Sequence, residues 1–428
     1  MSSLQIHDIA VVGAGMVGAT LALDLAARGF DVALIEPRTP APWRAQDEVD
    51  LRVVALAPDA RGLLSDLAVW PSIQNLRTSA YRRMRVWDAS APGELAFDAA
   101  DNGEAALGWI VENKLIQHAL WQALQAAACA PPASAGSLSG ERASARRGRS
   151  ERPASADPAA TSGSIRLCCP AEVVDIDNAE DGVGATLNDG PRLRAKLLVA
   201  AEGAESSVRD KLGIAFEGRD YGQRAVVAHV ATERSHESTA WQRFQPGGPL
   251  AFLPLGDGRS SIVWSLPDAD AARVLALDDA AFGRELGCAF DFRLGAITQA
   301  TPRGAFPLRM RLAERYVSGR CVLAGDAAHL VHPLAGQGMN LGFRDVRALR
   351  DVLRAAHERG SDIAAPHILR RYERERRSEN ALAARGLDGV ERVFADRHVP
   401  LLRGLALACA SRFEPVRTFL AGVAAGRR

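Results

Sequence analysis

An apolar run, Cys321-Val322-Leu323-Ala324, breaks at Gly325-Asp326 and continues through His329, His332 and Pro333 into Gly336-Gln337-Gly338-Met339-Asn340. No other stretch constrains this chain as tightly. The run predicts a buried strand. Gly325 lets the backbone turn off the strand end, leaving the Asp326 carboxylate where it can accept from a polyol. Gly336 and Gly338 remove Cβ atoms where a flat ring must approach the main chain. A helix starting near Asn340 would aim unpaired N–H groups at that ring, and such groups stabilise negative charge.

The N-terminus adds an independent half. Ile9-Ala10-Val11-Val12 predicts a short strand that feeds Gly13-Ala14-Gly15-Met16-Val17-Gly18. A GxGxxG alone is weak evidence. Here a helix-like Met16 to Arg28, a terminating Gly29 and a second strand, Asp31 to Ile35 ending in Glu36, complete a dinucleotide-binding unit. Gly13 permits the tight turn, Gly15 lets the backbone touch a pyrophosphate, and Gly18 allows close helix–strand packing. Glu36 can accept from adenosine ribose hydroxyls, which fits FAD or NAD, not NADP. A third apolar strand, Leu197 to Ala201, also breaks at an acid and a glycine, Glu202-Gly203.

These segments resemble the signatures of class A flavoprotein monooxygenases. The His-x-x-His-Pro-x-Ala-Gly-Gln-Gly form from His329 is similar to the ubiquinone-biosynthesis hydroxylases among them. The resemblance implies an α/β fold of the para-hydroxybenzoate-hydroxylase type: a Rossmann-like FAD-binding domain, an interleaved β-sheet substrate domain and C-terminal helices. It also implies FAD as cofactor, in contact with Gly13, Gly15, Gly18, Glu36, Arg52, Asn113, Glu202, Gly325, Asp326, Gly336, Gly338, Met339 and Asn340, with Pro333 near the flavin. Arg52 enters through Asp50-Leu51-Arg52-Val53-Val54-Ala55-Leu56, which resembles the segment whose arginine lies along the flavin. Asn113 enters through Trp109 to Leu120, where Lys114 replaces the arginine often found there. Glu202 replaces the usual Asp, which moves the carboxylate by about one bond length.

From Tyr221 to about Phe306 the texture changes to alternating strands, Arg224 to Ala231, Thr239 to Phe244, Ala251 to Leu255 and Ser260 to Leu266, separated by glycine-rich turns. Their order is similar to the family's substrate domain, and Phe244, Phe252 and Leu253 are candidates for the substrate wall. The expected division is residues 1–75, 98–130, 165–220 and 307–360 for FAD binding, 76–97 and 221–306 for substrate, and 361–428 for a C-terminal helical region. Residues 131–164, rich in Ala, Ser, Gly, Pro and Arg without apolar periodicity, are expected to be a disordered insertion.

No Ser-His-Asp or Cys-His constellation can be assembled from spacing, so the chemistry is expected to belong to the cofactor. His329 and His332 lie three apart with no third ligand evident, and the cysteines show no metal spacing, so no metal is expected. The resemblance implies NAD(P)H- and O2-dependent hydroxylation of a polyprenylphenol intermediate of ubiquinone biosynthesis. Hydroxylation of a soluble aromatic or polyketide is the nearer rival, and a non-catalytic flavin-binding scaffold is a rival of another class. The expected partners are the prenylated phenol, O2 and other proteins of a biosynthetic assembly, with no nucleic acid.

The net charge of +1 hides an asymmetry, because residues 340–428 carry 18 Arg against 11 Asp plus Glu. A basic end with apolar stripes at Leu402, Leu405, Cys409 and Phe413 suits peripheral contact with a membrane surface. The segment Arg370 to Arg377 is expected to be a solvated face with local ion pairs. No stretch reaches the length of a spanning helix and the start lacks an export signal, so a cytoplasmic protein, peripheral at the inner membrane surface, is expected.

Overall fold

The computed structural model describes residues 6–89, 93–129, 163–188, 190, 192–331 and 337–395. The strand Ile6–Val12 pairs in parallel with Asp31–Ile35 on one side and Arg192–Ala200 on the other. Ser164–Cys168 and Cys321–Leu323 extend this parallel core at its two sides, and antiparallel strands complete an eight-stranded sheet among the described residues. Leu198, Val199, Ala200 and Val322 are fully buried. Parallel strands covered on both faces read as unbroken apolar runs, which is why the sequence shows them clearly. The helix Met16–Ala26 packs on Asn113–Cys129 and on Gln337–His357, so the glycine-rich turn is backed by three layers of structure.

A second, largely antiparallel sheet, of nine strands among the described residues, contains Gly304–Ala313, Phe216–Thr232, Ser260–Pro267, Leu250–Pro254 and Thr239–Phe244 as neighbours in that order. Its side chains alternate. Val226, Ala228 and Val230 face an apolar core with Phe252, Ile262, Phe282 and Phe290, which leaves Ala225 and Val227 on the opposite face. A small sheet of Val53–Leu56, Gly108–Glu112 and Thr78–Tyr81 is hydrogen-bonded to neither but packs against the second through Ala55, Tyr81 and Ile110.

The chain passes from the first sheet to the second at one turn that matters for function. Cys321–Leu323 ends in the parallel sheet, Gly325–Ala327 forms a short 3-10 turn, and His329–Leu330 pairs with Gly304–Ala313 in the other sheet. The Gly325-Asp326 motif therefore sits at the seam.

Several boundaries differ from expectation. Phe216–Thr232 begins before residue 221 and Gly304–Ala313 runs past 306, because one long strand pair, from Phe216 opposite Ala313 to Val227 opposite Gly304, joins the two regions. Ser164 is already in the sheet, paired with Asp31, and Gly163 is packed against it, a Cβ there falling 2.0 Å from the Phe30 carbonyl oxygen, so neither belongs to the insertion. Residues 131–162 and the stripe Leu402 to Phe413 lie outside the described residues. The last described helix is Pro366–Ala395.

Candidate active site

Gly13, Gly15, Glu36, Arg52, Asn113, Glu202, Asp326 and Met339 line one cavity of about 500 Å³ at the C-terminal ends of the parallel strands. The three glycines of the first turn differ in what they do. Gly13 sits at φ +99° and a Cβ there would lie 2.6 Å from the Ala201 carbonyl oxygen; a Cβ at Gly18 would lie 1.9 Å from that of Gly13. Both are required by the protein's own packing. A Cβ at Gly15 would meet nothing within 4 Å, so this position faces open cavity. Gly15 is also the N-cap of Met16–Ala26 with no side-chain cap, which leaves the helix's first N–H groups for whatever the cavity holds. Glu36 accepts from the Ala14 N–H at 2.6 Å and from the Arg38 N–H at 3.2 Å, so its carboxylate is fixed at one end.

A second cavity of about 270 Å³ adjoins the first, and Arg52, Asn113, Asp326 and Met339 line both. The Asn113 side-chain oxygen is buried there with no hydrogen-bond partner among the described residues. The Asp326 carboxylate likewise makes no hydrogen bond among the described residues, and burial pushes its carboxyl up, opposed by the nearby His329 and Arg52. Beyond this polar junction the walls are apolar: Val53, Ala225, Val227, Val263, Phe306, Leu308, Leu330 and Val331. Val227 and Val263 are directly opposite in adjacent strands, and the Arg52 guanidinium lies 5.4 Å from the Phe306 ring centroid. A glycine cradle with free helix N–H donors, an accepting carboxylate at each end, and an unpartnered amide oxygen where the second cavity begins fit FAD.

Comparison with known proteins decides the family. The family model described as FAD binding domain matches residues 152–385. The chain is 37% identical to 3-demethoxyubiquinol 3-hydroxylase of Escherichia coli K12 over 95% of both chains. It is 33% identical to mitochondrial ubiquinone biosynthesis monooxygenase COQ6 of Homo sapiens, covering 97% of this chain and 92% of that one. The chain belongs to the FAD-dependent hydroxylases of ubiquinone biosynthesis. Among solved structures, PqsL from Pseudomonas aeruginosa, a probable FAD-dependent monooxygenase, superposes with a TM-score of 0.71 at 20% identity over 94% of this chain and all of that one. HpxO of Klebsiella pneumoniae, complexed with FAD and uric acid, gives 0.69 at 18% over 97% and 96%. The fold is thus that of the para-hydroxybenzoate-hydroxylase class, as the sequence implied.

In this hydroxylase several expected contacts are placed differently. Asn340 does not face the cofactor cavity. The helix begins at Gln337, and Asn340, a turn further in, donates to the Ala55 carbonyl at 2.9 Å and accepts from the Ala57 N–H at 3.0 Å. Its amide clamps the helix to the strand Val53–Leu56. The earlier start leaves Gly338 and Met339, in the first turn, on the second cavity. Glu202 borders the cofactor cavity, but its longer side chain curls forward to accept from Ser206 Oγ at 2.5 Å, Ser207 Oγ at 3.0 Å and the Val208 N–H at 3.1 Å. Gly325 lines neither cavity. It holds φ +63°, with its absent Cβ only 3.0 Å from Val17. Lys114 is exposed and lies 3.8 Å from Asp50. Pro333, Gly336 and His332 lie outside the described residues.

The expected substrate wall of Phe244, Phe252 and Leu253 is corrected. Phe252 is fully buried and stacked on Phe290 at 3.8 Å, on the sheet face turned away from the cofactor. Leu253 is opposite Ser261, packs with the Tyr81 and Ile110 cluster and does not line the second cavity. Phe244 belongs to a small cluster with Val86 and Leu95. The period-2 alternation of Ala225 and Val227 was the signal that could have found the observed wall.

Sequence reasoning also missed a buried charge cluster behind Gly325. Asp345 is wholly buried and pairs with His329 Nε2 at 2.5 Å and Arg376 Nε at 2.7 Å. Burial alone would raise its carboxyl, yet His329 and Arg376 hold it down at about 2. His329 thus has a carboxylate partner. Of the Arg370 to Arg377 segment, Arg376 points inward and is fully buried, against the expectation of a uniformly solvated face.

Proposed function

We propose that this hydroxylase inserts oxygen into the ring of a prenylated phenol intermediate of ubiquinone biosynthesis, using NAD(P)H as electron donor. One oxygen atom of O2 enters the ring and the other leaves as water, with NAD(P)H supplying the two electrons. Bound FAD supplies the redox chemistry by taking up those electrons and activating O2. The chain's own residues bind, orient and exclude water. Gly15 and Glu36, on the turn that Gly13 and Gly18 keep tight, would hold the adenosine pyrophosphate half. Arg52, Asn113, Asp326, Gly338 and Met339 hold the flavin half. Glu202 shapes the cavity between them through the helix it caps. The expected division into FAD-binding, substrate and C-terminal regions stands as part of this proposal, with the substrate region extended along the Phe216–Thr232 and Gly304–Ala313 pair.

The observation that carries the substrate class is the second cavity. Apart from Arg309, its charged and amide side chains lie at the junction with the cofactor cavity, and most of its other lining is apolar. An apolar chamber favours a ring without a carboxylate, since an unpaired charge there would be costly to desolvate. Arg309 is the one further cation in the lining, and its Nε faces Asp220 at 3.3 Å. Peripheral contact with the inner membrane surface, directly or through assembly proteins, fits a polyprenylated substrate. Among the described residues no helix is long and apolar enough to cross a membrane.

The test is NAD(P)H- and O2-dependent product formation by the purified chain, comparing a short-chain prenylphenol with soluble hydroxybenzoates. Coupled turnover of the prenylphenol is expected. Tightly coupled turnover of a soluble acid, with none of the prenylphenol, would defeat the proposal in favour of the soluble-substrate rival.

A further inference from the structure

Asp345 and Arg376 line neither cavity, yet both side chains are fully buried. Opposite charges in a core cost several kcal/mol each to desolvate, and a well-packed apolar pair often serves stability equally well. Stability alone is therefore a poor account of them. Asp345 accepts from four donors: the Gly325 N–H at 2.9 Å, His329 Nε2 at 2.5 Å, Arg376 Nε at 2.7 Å and Asn380 Nδ2 at 3.2 Å. Arg376 is itself aligned by donating to Asn380 Oδ1 at 2.8 Å and by pairing with Glu379.

Two of those four donors flank Asp326 in the chain. The Gly325 carbonyl also accepts from the Ala328 N–H at 2.8 Å, which closes the turn around the acid. Asp326 points into both cavities, with its orientation set by a backbone whose fixed points are Gly325 and His329.

We propose that Asp345, with Arg376 as its counter-charge, is a positioning residue for the cofactor: it fixes Gly325 and His329 on either side of Asp326 and so aims the Asp326 carboxylate at the ribityl chain of FAD. Helices that follow the turn in the chain thereby set the geometry of the acid. The inference rests on the assignment of Asp326 to the cofactor site made above.

The experiment uses the full chain freed of flavin and measures three quantities: thermal unfolding, affinity for ADP and affinity for FAD. ADP reports only the Gly13 to Glu36 end. Asp345→Asn keeps shape and loses charge, and Asp345→Asn/Arg376→Met removes both charges should the single variant fold poorly. The expected result is ADP affinity unchanged and FAD affinity reduced about tenfold, the scale of one well-aligned charged hydrogen bond. In an Asp326→Ala background, Asp345→Asn should reduce FAD affinity no further, because it acts through Asp326. Full additivity of the two substitutions, equal weakening of ADP and FAD, or unchanged FAD affinity in both Asp345 variants would overturn the inference. If Asp326→Ala itself binds FAD normally, the site assignment fails instead.

Discussion

The Gly13–Gly18 turn is held mainly by close packing of main chain, with one bond from the Ala14 N–H to Glu36, whereas the Gly325–Asp326 turn, which faces the same cavity, is held by charges from two later helices. In the first, backbone atoms fill every space a side chain would need except at Gly15. In the second, a left-handed glycine is pinned by a carboxylate twenty residues on, itself paired with an arginine on the Pro366–Ala395 helix. Steric fit is local and insensitive to pH. Charge pairing is long-range and titrates. The two ends of one cofactor site should therefore respond differently to substitution and to acid.

The largest contrast lies within the first turn. Gly18→Val should give no folded protein, since a side chain there collides with the Gly13 backbone, which cannot move without breaking the turn. Gly15→Val should fold, because Gly15 has φ −65° and open space around its missing Cβ. Its unfolding free energy should stay within roughly 0.5 kcal/mol of wild type while bound FAD is lost. Visible absorbance of the purified protein and circular dichroism check both; full flavin occupancy in Gly15→Val would break the contrast.

At the second turn, Asp326→Ala should weaken FAD binding on the order of 10- to 100-fold, as expected for losing a charged hydrogen bond. Flavin fluorescence titration measures this. Wild-type affinity would remove Asp326 from the site.

A smaller and pH-dependent effect follows from Asp345. Its carboxyl lies at about 2 in the folded protein against an ordinary 3.8, so it stabilises the fold above 3.8 and that contribution fades as pH falls towards 2. Asp345→Asn should lower stability by roughly 2 kcal/mol at neutral pH, with the gap to wild type closing in acid. A gap that stays constant down to strongly acidic pH would show that packing, not charge, holds the turn.

The smallest effect has the opposite sign. Burial raises the Asp326 carboxyl in the flavin-free protein, so its ionisation opposes folding increasingly as pH rises from the ordinary 3.8 to that raised value, and fully above it. Asp326→Asn should melt slightly higher than wild type at neutral pH without FAD, and the advantage should vanish below the ordinary carboxylate range. Lower melting at neutral pH would contradict the sign.

How much of the site was legible follows the same division. The turn of Gly13, Gly15 and Gly18 was legible from spacing because it is contiguous with its strand and helix. The role of Asn340 was not, since its partners, Ala55 and Ala57, lie nearly three hundred residues away in sequence. Glu202 was visible as an acid at a strand end, but only the structure shows its added methylene folding onto the Ser207–Lys211 helix. Aromatic residues drew attention to Phe252, whereas the chamber is walled by Ala225 and Val227, one position out of phase with the strand's core-facing residues.

By itself the sequence determined the parallel sheet, the cofactor and the family, because apolar runs, glycine turns and strand-end acids are patterns within short windows governed by local sterics and burial. Only the tertiary structure decided which face of the second sheet meets the cofactor and which charges stand behind Asp326. A sheet face is chosen by what packs against it, and a buried ion pair exists only once two distant helices have brought Asp345 and Arg376 together out of water.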